Sequence, residues 1–146
     1  MVNVMHNDLA ERQLAGATVI LAEDDDDTRD LLAFALETYG ARVIGAPSAR
    51  AALALLDCIT PTVLVSDISM PGENGYWLVK EMRALLRHRG IDLPAVACSA
   101  LAAHEGADRA LAAGFQRYVS KPVDPLDLCS AVADAIAVVH GGHVAA

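Results

Sequence analysis

The chain has 146 residues, 54% of them hydrophobic, and a formal net charge of −8. This length suits one domain with a substantial core, and the negative charge argues against nucleic-acid binding, because phosphate backbones attract clusters of Lys and Arg. No apolar stretch approaches the roughly 20 residues of a membrane span, and the N-terminus lacks the apolar core of a signal peptide. Three buried-looking cysteines without a CxxC pair are typical of a reducing compartment, so we expect a cytoplasmic protein without a membrane partner.

Five short apolar runs alternate with amphipathic stretches after an N-terminal extension or linker at residues 1–17. The runs are brief and rich in β-branched residues, which indicates parallel strands covered on both faces, and they lie at 18–22, 42–46, 62–66, 94–98 and 116–120. The predicted helices comprise one that ends at Gly40, then 48–57, 75–88, roughly 103–113 and 124–140. Strict alternation predicts an α/β domain over residues 18–140, with right-handed crossovers and helices on both faces of the sheet.

The apolar faces of the helices predict which side chains enter the core. The third helix places Leu78, Met82 and Leu85 on one face. The last helix is expected to stop at the glycine pair 141–142, which leaves residues 141–146 as a tail.

Polar side chains stand at the ends of four predicted strands. Glu23 and Asp24 follow the first strand, Asp67 the third, Ser99 the fourth and Lys121 the fifth. Ligands of open parallel sheets bind at the carboxyl ends of the strands, so we expect these groups to form one site. Carboxylates suit Mg²⁺, whereas a lysine and a hydroxyl suit phosphoryl oxygens. Because no glycine-rich nucleotide-binding loop is present, the phosphoryl group must arrive on another donor, and a carboxylate can accept it as a nucleophile.

Three further acids, Asp25, Asp26 and Asp27, stand where the first helix begins. Carboxylates at this position accept hydrogen bonds from unpaired N–H groups and interact favourably with the helix dipole. We therefore assign these three residues to the helix start and not to the metal.

Four segments resemble the motifs of the two-component response regulator receiver domain: "AEDD" (22–25), "SDISMPGENG" (66–75), "CSA" (98–100) and "YVSKPVD" (118–124). The resemblance covers roughly residues 17–140 and implies a flavodoxin-like, doubly wound five-stranded parallel sheet in the order 2-1-3-4-5 with five helices. It implies Asp67 as the phosphoacceptor, and a Mg²⁺ site, with Mn²⁺ as an alternative ion, formed by Glu23, Asp24, Asp67 and the backbone carbonyl of Ser69. By the same resemblance, Ser99 and Lys121 bind the phosphoryl group, and Tyr118 is an aromatic switch residue.

The resemblance also implies the partners. Receivers take the phosphoryl group from a phosphohistidine on a histidine kinase or a phosphotransfer protein, and they assist this transfer and their own dephosphorylation. We expect the output to be a protein contact through the face of the fourth helix, fifth strand and fifth helix, with a monomer or weak dimer in solution. After the fifth helix only "GGHVAA" remains, so we expect either a stand-alone regulator or the receiver of a hybrid histidine kinase.

Two alternatives remain from the residues themselves. "DDDDT" (24–28) formally fits the D-x-D-x-T signature of haloacid dehalogenase-like phosphatases, which would make Asp24 the nucleophile and Asp26 the acid–base. That interpretation gives no role to "SDISMPG", so ordered motifs favour the receiver over one short pattern. The second alternative is a degenerate receiver that never turns over phosphate, although the acceptor, the acidic ligands and the lysine are all present.

Overall fold

The computed structural model describes residues 13–100 and 103–144; for residues 103–105 and 141–144 it describes the backbone but not the side chains. Five strands alternate with five helices along the chain. The strands are β1 (Thr18–Ala22), β2 (Arg42–Ala46), β3 (Val63–Asp67), β4 (Ala95–Ser99) and β5 (Arg117–Ser120). The helices are α1 (Asp26–Thr38), α2 (Ala49–Ala54), α3 (Gly75–Arg87), α4 (Ala103–Ala113) and α5 (Pro125–Val144), and a 3₁₀ turn, Leu55–Asp57, follows α2.

All strand pairs are parallel, and the sheet order is β2-β1-β3-β4-β5. The chain therefore starts in the interior of the sheet, builds outward to β2, crosses back over β1 and continues to β5. This order confirms the predicted doubly wound fold. It also creates a switch point between β1 and β3, where the connections leave the sheet in opposite directions and a ligand crevice opens.

Alternate residues of each strand enter two separate cores. On β1, Ile20 and Ala22 pack with α2, α3 and α4 on one face, whereas Val19 and Leu21 pack with α1 and α5 on the other. The three central strands are almost fully buried. This double coverage explains why their sequences are continuous apolar runs and not alternating ones.

Several predicted details are wrong in the structure. β3 and β4 begin and end one residue later than predicted, and the region predicted as one helix at 48–57 tightens into a 3₁₀ turn after Ala54. On α3, Leu85 is 44% exposed and Leu86 is buried in its place. Cys58 is exposed at the end of the 3₁₀ turn, whereas Cys98 and Cys129 are buried as expected.

Both ends of the predicted domain extend further than the sequence suggests. Leu14, placed in the N-terminal extension, is 1% exposed, and its N–H donates to the carbonyl of Tyr39 at 2.8 Å. α5 continues past the glycine pair to Val144, because glycine costs a helix only about 1 kcal/mol and does not forbid it. Residues 1–12 and 145–146 lie outside the described residues. Among the helices described, none is long and apolar enough to cross a bilayer.

Candidate functional site

The structure brings the predicted polar residues to one edge of the sheet. Glu23 and Asp24 follow the last residue of β1, while Asp67 and Ser99 are the last residues of β3 and β4. Lys121 follows β5, and its backbone N–H donates to the carbonyl of Ser99 at 2.8 Å. Parallel strands end at the same edge, so residues that are 98 positions apart in sequence come into direct contact.

Lys121 contacts the acids that stand at the ends of β1 and β3. Its Nζ donates to Oε1 of Glu23 at 2.5 Å and lies 3.4 Å from Oδ2 of Asp67. Partial burial by itself would lower the pKa of Lys121, but the contacts with the two carboxylates outweigh burial and the pKa is raised. The ammonium group therefore stays charged and lies beside both acids.

Asp67 is a buried acid with an unusual affinity for protons. Burial, followed by the hydrogen bond and the negative charge of Glu23, raises its pKa from 3.8 to about 7, although Lys121 acts in the opposite direction. A carboxylate in this position has lost solvating water and faces a second carboxylate. A further cation beside Asp67 would relieve both effects.

The carboxylates have the geometry and chemistry of a divalent-ion site. One oxygen from each of Glu23, Asp24 and Asp67 lies within 4.8 Å of the others. Among the residues that the structure describes, buried Glu23 Oε2 has no hydrogen-bond partner, which is costly for a carboxylate oxygen unless a cation or water satisfies it. Asp24 is exposed, so the cluster is open to solvent, as Mg²⁺ requires because it retains several waters. The residues present therefore fit a hard divalent cation.

Ser69 and Tyr118, two further residues of the predicted site, lie in the segments next to Asp67 and Ser99 in the sequence and in the sheet. Ser69 is exposed and lies two residues beyond Asp67, in the loop between β3 and α3. The Tyr118 hydroxyl donates to the carbonyl of Ser99 at 3.4 Å. Its half-buried ring lies directly against Gly106 of α4, where an added Cβ would come within 2.7 Å of the ring carbon that bears the hydroxyl. Tyr118 thus connects the end of β4 with α4.

Gly75 has a steric role that explains the last glycine of the "SDISMPGENG" segment. It is the first residue of α3, and an added Cβ would meet the carbonyl oxygen of Asp67 and lie 3.1 Å from the Cα of Ile68. The N–H of Gly75 donates to the carbonyl of Ile68 at 2.9 Å. The start of α3 therefore packs directly against the end of β3, which contains Asp67. Only glycine fits this close approach, because any Cβ would collide with the backbone.

The acids at the start of α1 divide into two roles. Asp25 is the N-cap and accepts from the backbone N–H of Thr28 at 2.8 Å and from its hydroxyl at 2.6 Å. These hydrogen bonds, the hydroxyl one first, lower the pKa of Asp25, and they confirm its predicted capping role. Asp26 lies in the first helical turn, as predicted, but its carboxylate also forms a 2.6 Å ion pair with Arg29, which the sequence analysis did not anticipate.

Arg29 is the residue near the site that sequence reasoning missed. Its Nη1 donates to the backbone carbonyl of Glu23 at 2.8 Å, and its aliphatic stem passes over Gly45 of β2. A glycine inside a strand often marks the close approach of another group. Gly45 within the predicted strand "RVIGA" was therefore the available signal for this contact.

The sheet order and its switch point define a flavodoxin-like α/β protein with an acidic, lysine-containing site at the carboxyl edge of the sheet. The family model described as "Response regulator receiver domain" matches residues 19–133. The chain belongs to this family, whose members are signalling phosphoacceptors of two-component systems. The phosphatase alternative is thereby set aside.

Relatives and solved structures agree with this assignment. An uncharacterized 14.6 kDa protein in the sodA1 3′ region of Leptolyngbya boryana is 47% identical over 115 residues, which cover 79% of this chain and 86% of that protein. The response regulator protein FleR of Pseudomonas aeruginosa is 33% identical over 80% of this chain, but the match spans only 24% of FleR. The receiver domain of Francisella response regulator 1452 superposes with a TM-score of 0.73 at 27% identity, covering 85% of this chain and 99% of that domain.

Proposed function

We propose that this receiver accepts a phosphoryl group from a phosphohistidine onto Asp67 and thereby changes a protein-interaction surface. The contact of Lys121 with both Glu23 and Asp67 supports the proposal most directly. That contact unites an acceptor carboxylate, a cation for phosphoryl oxygens and a second carboxylate in one pocket.

In the proposed reaction, an oxygen of Asp67 attacks phosphorus as the bond between phosphorus and the donor imidazole nitrogen breaks. The imidazole leaves with the electron pair of that bond, and the product is an acyl phosphate on Asp67. Lys121 neutralises the phosphoryl oxygens, and the Ser99 hydroxyl donates to another of them. Glu23, Asp24, Asp67 and the Ser69 carbonyl would hold Mg²⁺, or Mn²⁺ in its place. The ion supplies charge neutralisation at the phosphoryl oxygens.

We further propose that the fourth-helix, fifth-strand and fifth-helix face transmits the change to a downstream protein. Tyr118 lies between the carbonyl of Ser99 and Gly106 of α4, so movement of Ser99 toward a phosphoryl group would alter the space available to the ring. The expected donor is a histidine kinase or a phosphotransfer protein of the cytoplasm. The protein itself is expected to act as a monomer or weak dimer, either alone or as part of a hybrid kinase.

The test is phosphorylation by acetyl phosphate, followed by intact-protein mass spectrometry, on wild type and Asp67→Asn. We expect one phosphoryl group on wild type in the presence of Mg²⁺, and none on the variant or after chelation of divalent ions. Asp24→Asn is the matched carboxylate control: it should keep the acceptor but bind Mg²⁺ more weakly, so its phosphorylation should require a higher Mg²⁺ concentration. Unmodified wild type under all conditions would favour the degenerate receiver, and normal modification of Asp67→Asn would refute the acceptor assignment.

A further inference from the structure

Three polar parts of Glu23, its N–H, its Oε1 and its carbonyl, are each fixed by a different group. Its N–H donates to the carbonyl of Ala46 at 3.0 Å, and its Oε1 accepts from Lys121. Its own carbonyl accepts from Arg29 Nη1 at 2.8 Å. Because Glu23 immediately precedes Asp24, these bonds fix the backbone from which both acidic side chains project.

Arg29 is itself restrained from two sides. Its Nη2 donates to Oδ1 of Asp26 at 2.6 Å. Its side chain is only 20% exposed, although Arg29 lies near the N-terminus of α1. The stem lies so close to Gly45 that a Cβ there would stand 3.0 Å from Cδ of Arg29. Gly45 is exposed within β2, and a glycine inside a strand weakens it. The close passage of the Arg29 side chain explains why this position has no larger residue.

The ion pair with Asp26 compensates for an unfavourable feature of this arrangement. A positive charge near a divalent-ion site repels the ion. The carboxylate of Asp26 offsets the guanidinium charge, so Arg29 can donate to the Glu23 carbonyl at a lower electrostatic cost to the ion. Asp26 therefore serves the site through Arg29 without being a metal ligand.

We propose that Arg29 is a positioning residue for the divalent-ion site, acting through the backbone carbonyl of Glu23. The proposal rests on the proposed function, in that Glu23 and Asp24 hold the ion. It predicts a change in Mg²⁺ affinity opposite in sign to the change expected from charge alone. Removal of the guanidinium charge by itself would tighten Mg²⁺ binding, whereas loss of the positioning hydrogen bond would weaken it.

The experiment is titration of the purified protein with Mg²⁺ by isothermal calorimetry, at a temperature where circular dichroism shows each variant folded. Arg29→Met keeps the apolar stem but removes every donor, and we expect Mg²⁺ affinity to fall about tenfold, as for other residues that orient metal ligands. Arg29→Lys keeps a donor for the Glu23 carbonyl but loses the separate arm that pairs with Asp26, so its affinity should lie between those of wild type and Arg29→Met. Arg42→Met removes an exposed arginine at the opposite end of β2 and should leave the affinity unchanged.

Gly45→Ala provides a second perturbation that touches no acidic residue. The new methyl group should displace the Arg29 stem and weaken Mg²⁺ binding by less than Arg29→Met does. In the double variant Arg29→Met/Gly45→Ala, the alanine should add no further loss, because no guanidinium remains to be displaced. Unchanged or tighter binding in Arg29→Met would overturn the proposal, as would an equal effect of Gly45→Ala with and without Arg29. Failure of wild type itself to bind Mg²⁺ would instead overturn the proposed function.

Discussion

Asp67→Asn should stabilise the metal-free protein, by an amount that grows as pH rises from about 4 to about 7. In the folded state the pKa of Asp67 is raised from 3.8 to about 7, first by burial and then by Glu23. The folded protein therefore holds this proton more firmly than the unfolded chain does. Linkage then requires that wild type lose stability as pH rises from about 4 to about 7, and that the loss be complete above pH 7.

The magnitude follows from the same pKa difference. A difference of about three corresponds to about 4 kcal/mol, at 1.36 kcal/mol for each pKa unit. Asparagine is uncharged at every pH but still buries a polar amide, and it removes one of the two carboxylates beside Lys121. Part of the gain is thereby cancelled, and we expect about 2–3 kcal/mol of added unfolding free energy at pH 8, falling toward zero near pH 4.

The assay is urea unfolding in the presence of a chelator at pH 4.5, 6 and 8, followed by circular dichroism. Asp30→Asn, an exposed acid on α1, is the matched control and should change stability by no more than about 0.5 kcal/mol. Excess Mg²⁺ should narrow the gap between wild type and Asp67→Asn, because the ion binds the carboxylate more strongly than the amide. Equal stabilities at pH 8, or a gap that does not change with pH, would refute the reasoning.

Three further predictions concern the signal and the site's scaffold. Ser99→Ala should weaken the response of the fourth-helix, fifth-strand and fifth-helix face more than it weakens phosphorylation. Amide spectra with and without a phosphoryl mimic measure the response, and a response of the variant equal to that of wild type would contradict the prediction. Gly75→Ala should destabilise the protein by about 1–3 kcal/mol, because the added methyl meets backbone and not a movable side chain; urea unfolding checks this value. The family resemblance predicts that Leu101, which lies outside the described residues, slows dephosphorylation, so we expect Leu101→Ala to hasten it about tenfold, or roughly 1.4 kcal/mol in the barrier, with Ser69→Ala as the comparison in the same decay measurement.

The sheet could be predicted from the sequence because its signals are strong and mutually consistent. A continuous apolar run such as "TVLVS" is hydrophobic on both faces, which only a strand covered by helices on both sides accommodates. Strict alternation with helices then leaves few topologies. The ends of these strands do not follow from the apolar pattern, because a hydrogen-bonded strand can extend by one residue without any change in that pattern. β3 accordingly includes Asp67, which the prediction placed just beyond the strand.

Other details depend on packing that periodicity does not resolve. On α3, both Leu85 and Leu86 are compatible with a face that contains Met82, because residues three and four apart are both neighbours on a helix. The structure buries Leu86 at 0% exposure and leaves Leu85 outside. Leu14 gave no signal either, because it lies before the first strand in a segment without a clear helical or strand period; it packs in the core on the α1 and α5 face of the sheet, and its N–H donates to Tyr39 at the end of α1.

The five successive acids at positions 23–27 show where residue type suffices and where geometry is needed. Position after a strand identified Glu23 and Asp24 as members of an edge site, and position before a helix identified Asp25 as its cap. Helical spacing is compatible with an i,i+3 pair of Asp26 and Arg29, but the course of the Arg29 side chain across β2 above a glycine could not be predicted from position. The raised pKa of Asp67 likewise depends on how deeply β3 is covered and on the approach of Glu23. These acids are thus not one repulsive cluster: Glu23 and Asp24 border the site at the sheet edge, Asp25 caps α1, and Asp26 pairs with Arg29.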